Sequence, residues 1–506
     1  MKTAQKNRAC PETVQPGSLS GLSPWLAVLA TAIQIISAAA AQTYYVSPAG
    51  NDANNGTQAQ PFRQIRKALT LVQPGDTILV ADGSYLGFDA FDRTGASNAP
   101  ITLRAAGTNA IVTRTTDRSD NRDTIHIEDC AYLVVDGLRS FGANRASLRI
   151  QGGHHITIRN CVFGNNTTWG LFTGFSDDLL IENNECYGST NEHGIYVSNS
   201  GDRPTLRGNR CYSNRGGGIQ LNADVNIQPG DGIITGALLE NNVIYDNGRG
   251  GGGAFNLDGV QDSIIRNNLL FNNHASGIIF FQIDGAEGPR GNRVYHNTID
   301  MAADGRWALN FLQTTGTNVA RNNILLTRHS FRGGVRFGDA TDVANTDSDY
   351  NIVTRITPDD NAVLTLAEWQ AQGHELHSIS ATHAAVFTDD LVANYFLRTN
   401  SPALNAAQPI AGLLDDLEGG VRPFSIGPDI GCYELSPLKL VLLTPGNGQR
   451  VLRLTGGSGR TLNLEAGGAL TNWSAAASFV RSNRPVEYID ASPATDRRFF
   501  RASTSP

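Results

Sequence analysis

The chain has 506 residues and a net charge of -7 with 17% charged positions, a mild acidity that argues against a general nucleic-acid binder. Its 54 glycines follow no three-residue period, which excludes collagen. Length alone allows about three average domains, but an internal repeat overrides that arithmetic.

Lys2, Lys6 and Arg8 precede the apolar run PWLAVLATAIQIISAAAA. Small residues at its end, before Gln42, read as a cleaved signal peptide over 1–41, and hence as export to the exterior or the cell surface. No later stretch is apolar enough to span a bilayer. Cleavage would leave Cys130, Cys161, Cys186, Cys211 and Cys432, an odd number. No CxxC or Cys/His spacing suggests zinc.

Residues 42–122 read as opening strands around a capping helix. In PFRQIRKALTLVQ the apolar positions Phe62, Ile65, Ala68, Leu69 and Val72 have helical spacing, opened by Pro61. Such a helix would cover the first exposed apolar face of a stack.

Rungs run over 123–360. An anchor recurs at Cys161, Asn184, Asn209, Asn242, Asn268, Asn297 and Asn323, with gaps of 23, 25, 33, 26, 29 and 26. An apolar or small residue stands three before each anchor, and an apolar residue two after. A unit this short cannot bury a core alone and must stack on its neighbours. The anchor amides are expected to hydrogen-bond from rung to rung. Cys186 and Cys211 share a column and are expected to be stacked neighbours, as buried thiols in preference to a disulfide.

A second strand in each rung, among them GIYVS, GIQLN and AFNLD, puts Leu171, Ile195, Ile219, Phe255, Ile278, Leu309 and Val335 inside by alternation. Phe172, Tyr196, Gln220, Asn256, Ile279, Asn310 and Arg336 then face outward. Asn222 and Asp258 lie in the next outward column. Tyr187, Tyr212, Tyr245 and Phe271 form a third ladder, suited to stacking sugars or to supporting one another. The gap of 33 marks an insertion at 222–236, placed to wall a cleft. Residues 361–437 lose the repeat and close the coil, and 438–506 reads as a small C-terminal β-sandwich.

These features resemble the secreted bacterial right-handed parallel β-helix proteins of the pectin-lyase-like superfamily. The opening YYVSPAGNDANNGT, PFRQIRKAL and PGDTILVADGSY are similar to the opening segment of family 9 pectate lyases, and RPFSIGPDIGCYE to the closing segment of such proteins. The resemblance implies an all-β solenoid and a carbohydrate-active protein. Family 9 lyases use a lysine as base, whereas the only lysines after the N-terminus are Lys67 and Lys439. That role is therefore not carried over.

β-Elimination on a uronate needs a base, an acid for the leaving oxygen, and neutralisation of the carboxylate. Within NEHGIYVSNS, His193 is the expected base and Tyr196 the acid. Gln220, Asn222 and Asn256 are the expected carboxylate binders, with Asp258, Phe172 and Arg336 as further substrate contacts. Asn222, Asp224, Asn226 and Asp231 offer hard oxygen ligands on nearby residues for calcium; ordinary Asx turns are the other reading. His274 and His296 are expected to hydrogen-bond in turns. The leading expectation is an exported, monomeric polysaccharide lyase acting on pectin or alginate. A glycoside hydrolase working through Asp258 and an insertion-loop Asp is the alternative, and a non-catalytic glycan-binding or adhesion protein is a third reading.

Overall fold

The computed structural model describes residues 40–113, 122–359, 361–443, 450–457, 461–480, 486–492 and 498–505. The expected signal segment therefore lies outside the described residues, apart from Ala40 and Ala41. No helix among the described residues is long and apolar enough to cross a membrane.

The chain coils through about ten turns of parallel strands. A first sheet of 12 strands starts at Thr43–Val46, a second of 11 at Gly83–Leu86 and a third of 12 at Phe88–Phe91. Each turn visits them in that order, as in Leu180–Glu182, Glu185–Tyr187 and Ile195–Ser198. The interior column is as expected: Leu171, Ile195, Ile219, Phe255, Ile278 and Leu309 have no exposed surface, and Val335 has 1%. Inside, Phe280, Phe311, Phe337 and Trp369 continue as a stacked file.

The corner between the first and second sheets explains the doubled asparagines. The residue before each anchor takes a left-handed backbone: φ is 55° at Asn160 and Asn183, 57° at Asn241 and 52° at Asn267. Asn tolerates that region better than most residues, and Gly208 fills the same column at one rung. The anchor itself points inward. Asn242 Oδ1 accepts the Asn209 amide N–H at 2.9 Å, and Asn242 Nδ2 donates to Leu206 O at 2.9 Å. The pattern repeats through Asn268, Asn297 and Asn323 to Asn351. A second amide ladder, absent from the sequence expectations, follows the corner between the second and third sheets through Asn214, Asn247 and Asn273.

Two expectations are revised and one is met. The capping helix is confined to Ile65–Leu69, because the Asp52 carboxylate takes the Arg63 and Gln64 N–H groups and holds Phe62 to Gln64 extended ahead of it. Parallel pairing begins at Thr43 with Thr77, so the opening strands are themselves rungs and the coil starts well before residue 123. Cys186 and Cys211 face each other in register as unbonded thiols, and burial raises the Cys186 pKa.

At the far end, the helix Leu366–Gln370 sets Trp369 on Phe337. A strap from the closing segment then runs back over the corner. Asn322 exchanges two hydrogen bonds with the Gln408 backbone, and Asn267 donates to Asp415 O. His296 and Arg422 meet at the Asp429 carbonyl, and Arg422 pairs with Glu434 at 2.9 Å in the interior. Residues from Lys439 onward form two three-stranded antiparallel sheets.

Candidate functional site

The third sheet carries the cleft. Its register pairs Phe172 with Tyr196, Tyr196 with Gln220, and Gln220 with Asn256, while Ser198, Asn222 and Asp258 form the neighbouring column. The aligned columns floor a cleft of about 450 Å³ lined by Glu192, His193, Tyr196, Arg215, Gln220, Asn222, Asn256, Asp258 and Asp284, with Gly250 to Gly252 on its rim. A second cleft of about 570 Å³ shares Gly252, Asn256, Phe281 and Ile283 with it and continues to Arg306 and Arg336. Arg336 is therefore three rungs from Asn256, with its guanidinium 4.8 Å from the Trp307 ring centroid. Phe172 flanks the cleft, packed between Trp169 and Tyr196 at 4.6 and 5.4 Å.

His193 lies on Gly216 and Gly217; a Cβ at Gly216 would fall 2.9 Å from its Nδ1. That nitrogen accepts the Gly217 N–H at 2.7 Å, and Nε2 stands 3.3 Å from Glu192. Because Nδ1 accepts, the neutral ring's proton is assigned to Nε2. Neither nitrogen then has a lone pair for a substrate proton, which is at odds with His193 as base. Burial pushes its imidazole down to about 4. The same burial raises the Glu192 carboxyl, with Arg215 opposing. The Tyr196 phenol is raised by burial and then by Asp284, Glu192, Asp224 and Asp258, so it stays protonated.

A depressed histidine pKa has a measurable sign. Between about pH 4 and the ordinary value of 6.5, the unfolded chain binds a proton at residue 193 that the folded chain refuses, so stability falls as pH drops through that window. Titration of the His193 ring by NMR should show it neutral at pH 5. A midpoint near 6.5 would contradict the buried, Gly217-bonded ring.

Asp258 proves to be a loop anchor. It is 1% exposed, and its two oxygens accept the N–H groups of Ile283, Asp284 and Gly285 at 2.9, 2.9 and 3.2 Å. A carboxylate so occupied is neither an open substrate contact nor the acid or base of a hydrolase. A Cβ at Gly285 would fall 2.6 Å from the Gly259 Cα, so this close approach needs glycine. The anchored loop delivers Asp284, which sequence reasoning missed. Its Oδ2 accepts from Asn222 Nδ2 at 3.2 Å, and its carbonyl accepts the Val225 N–H at 3.0 Å. The gap of 29 around this loop was the available signal. Glu192 and Arg215 also line the cleft beside the expected residues.

The expected calcium ligands separate. Asp224 and Asp231 each accept a backbone N–H two residues on, from Asn226 and Ile233, which are Asx turns. Asn226 and Asp231 are exposed on the insertion. Among the described residues no three His, Cys, Asp or Glu side chains gather as a metal centre. Of the four, Asn222 meets Asp284, and it does so through its nitrogen.

A family model described as Pel9A-like, right handed beta helix region, matches residues 44–318, more than half of the chain. The chain belongs to this family. Pectate lyase L of Dickeya dadantii (strain 3937) is 28% identical over 141 residues, covering 25% of this chain and 32% of that protein. The uncharacterized protein YwoF of Bacillus subtilis (strain 168) is 29% identical over 136 residues, covering 24% and 29%. The Pel9A-like chain thus spans about a third of the length of these curated relatives. The crystal structure of pectate lyase Pel9A covers 78% of this chain and 96% of its own, with a TM-score of 0.55 at 19% identity, a likeness of fold.

Proposed function

We propose that the chain is an exported polysaccharide lyase that cleaves a uronate-containing polysaccharide by β-elimination. The observation that carries this reading is the gathering of a phenol, a carboxylate beside a histidine and a row of carboxamides in one cleft. Relatives named as pectate lyases support the reaction class. Glu192 takes the proton from the carbon next to the uronate carboxylate. The electron pair left behind forms the carbon–carbon double bond as the glycosidic carbon–oxygen bond breaks, and the departing oxygen takes the Tyr196 proton. His193, with Nε2 3.3 Å from Glu192, is a positioning residue. Arg215 and the amides of Gln220, Asn222 and Asn256 face the carboxylate, and Arg306 and Arg336 meet carboxylates further along the trough.

Four carboxylates act on Tyr196, so the cleft is negative and a divalent cation would ease entry of an anionic chain. The residues present do not assemble a site for it: Asn222 turns Nδ2 rather than its oxygen toward Asp284, and Asp224 Oδ1 accepts the Asn226 N–H.

Polygalacturonate and alginate, incubated with the protein with and without chelator, should yield unsaturated ends absorbing in the ultraviolet. Reducing ends without that absorbance would sink the lyase reading in favour of hydrolysis, and binding without either product would favour adhesion. Glu192→Gln should lower kcat by roughly 10²-fold or more.

A further inference from the structure

We propose that Asp284 is a positioning residue that sets the direction of a hydrogen-bond chain across the cleft floor and so turns carboxamide N–H groups toward the sugar. This rests on the lyase reading and deepens it. An Asn or Gln side chain can rotate by half a turn with almost no change of shape, exchanging donor for acceptor. A run of such residues has no inherent direction, so a group of one polarity must impose it.

Asp284, as a carboxylate, only accepts. Asn222 must therefore present Nδ2 to it, at 3.2 Å. Asn222 Oδ1 then faces Gln220 and receives its Nε2–H at 3.2 Å. Gln220 Oε1 in turn receives the Asn256 Nδ2–H. One carboxylate thus orients three amides over two rungs. Each nitrogen spends one hydrogen on the chain and keeps a second with no protein acceptor among the described residues. The oxygens of Gln220 and Asn222 are already engaged.

The position of Asp284 is itself built. Three N–H bonds to Asp258 fix its loop, and Val225 N–H ties its carbonyl to the insertion. In a cleft whose carboxylates repel an anion, those spare amide hydrogens are the floor's attraction for a uronate carboxylate, together with Arg215.

The test uses full-length Asp284→Asn, nearly isosteric but able to donate as well as accept. Polygalacturonate and its methyl ester are the substrates, each with and without excess calcium. The expected result is a KM for the free acid raised about tenfold, more than kcat falls, with the preference for free acid over ester reduced about tenfold. The melting temperature should stay within about 2 °C of the parent. An equal fall in kcat on both substrates with an unchanged preference would overturn the proposal. Recovery by calcium would also overturn it, because Asp284 would then act as a ligand. Should the parent protein give no unsaturated product, the lyase reading falls by itself. The same preference is then read calorimetrically with oligogalacturonate and its methyl ester, where an unchanged ratio of Kd values overturns the positioning role.

Discussion

Tyr196→Phe should cost roughly 10²–10⁴-fold in kcat, the usual range for losing a positioned proton donor, while the fold stays intact. The ring would keep its contacts, since Phe172, His193 and Trp169 surround it at 5.4, 5.5 and 5.7 Å between centroids. Only the hydroxyl is lost, along with the proton that burial and four carboxylates hold on it. Steady-state kinetics on polygalacturonate beside a circular dichroism melt would separate the two effects. A variant with kcat within threefold of the parent would remove Tyr196 as the acid and leave it a stacking wall.

Asn242→Ala should destabilise the coil by on the order of 4 kcal/mol. Asn242 Oδ1 accepts both the backbone N–H and Nδ2–H of Asn209, and its Nδ2 donates to Leu206 O and Asn268 Oδ1. Truncation strands each of those groups where water does not reach, because Asn209, Asn242 and Asn268 are wholly buried. The neighbouring column supplies the comparison. Asn183→Gly asks only for a left-handed backbone that Gly208 already adopts in the same place, and should cost within about 0.5 kcal/mol. Denaturant midpoints measured side by side decide it; equal shifts for the two variants would mean that the buried amides contribute little.

The coil was legible because a stacked turn must place like residues at like positions. Asn184, Asn209 and Asn242 recur for that reason, and alternation in GIYVS and GIQLN put Tyr196 beside Gln220 as the register shows. The opening strands hid because their corners carry no doubled asparagine, although Ile78 and Leu103 pair as later rungs do. The cleft was legible where it lies on strands and illegible where neighbouring loops complete it. The protonation of His193 is set by an N–H from Gly217, one rung away. Asp258 looks open by its column, yet residues 283–285 fold down onto it. Asp284 follows from that same folding and has no pattern of its own. Oxygen-rich residues in the insertion suggested calcium by composition, but Asp224 and Asp231 spend oxygens on their own turns.

The strap has a mechanical consequence. Rungs from Asn267 onward are gripped twice, once by adjacent turns and again by Gln408, Asp415 and Arg422 reaching back across them. The rung before them shares only a buried apolar cluster with that segment, through Val243. Pulled or warmed, the spring therefore uncoils from its amino-terminal end, and the last turns let go together, as one knot, only once the strap has lifted.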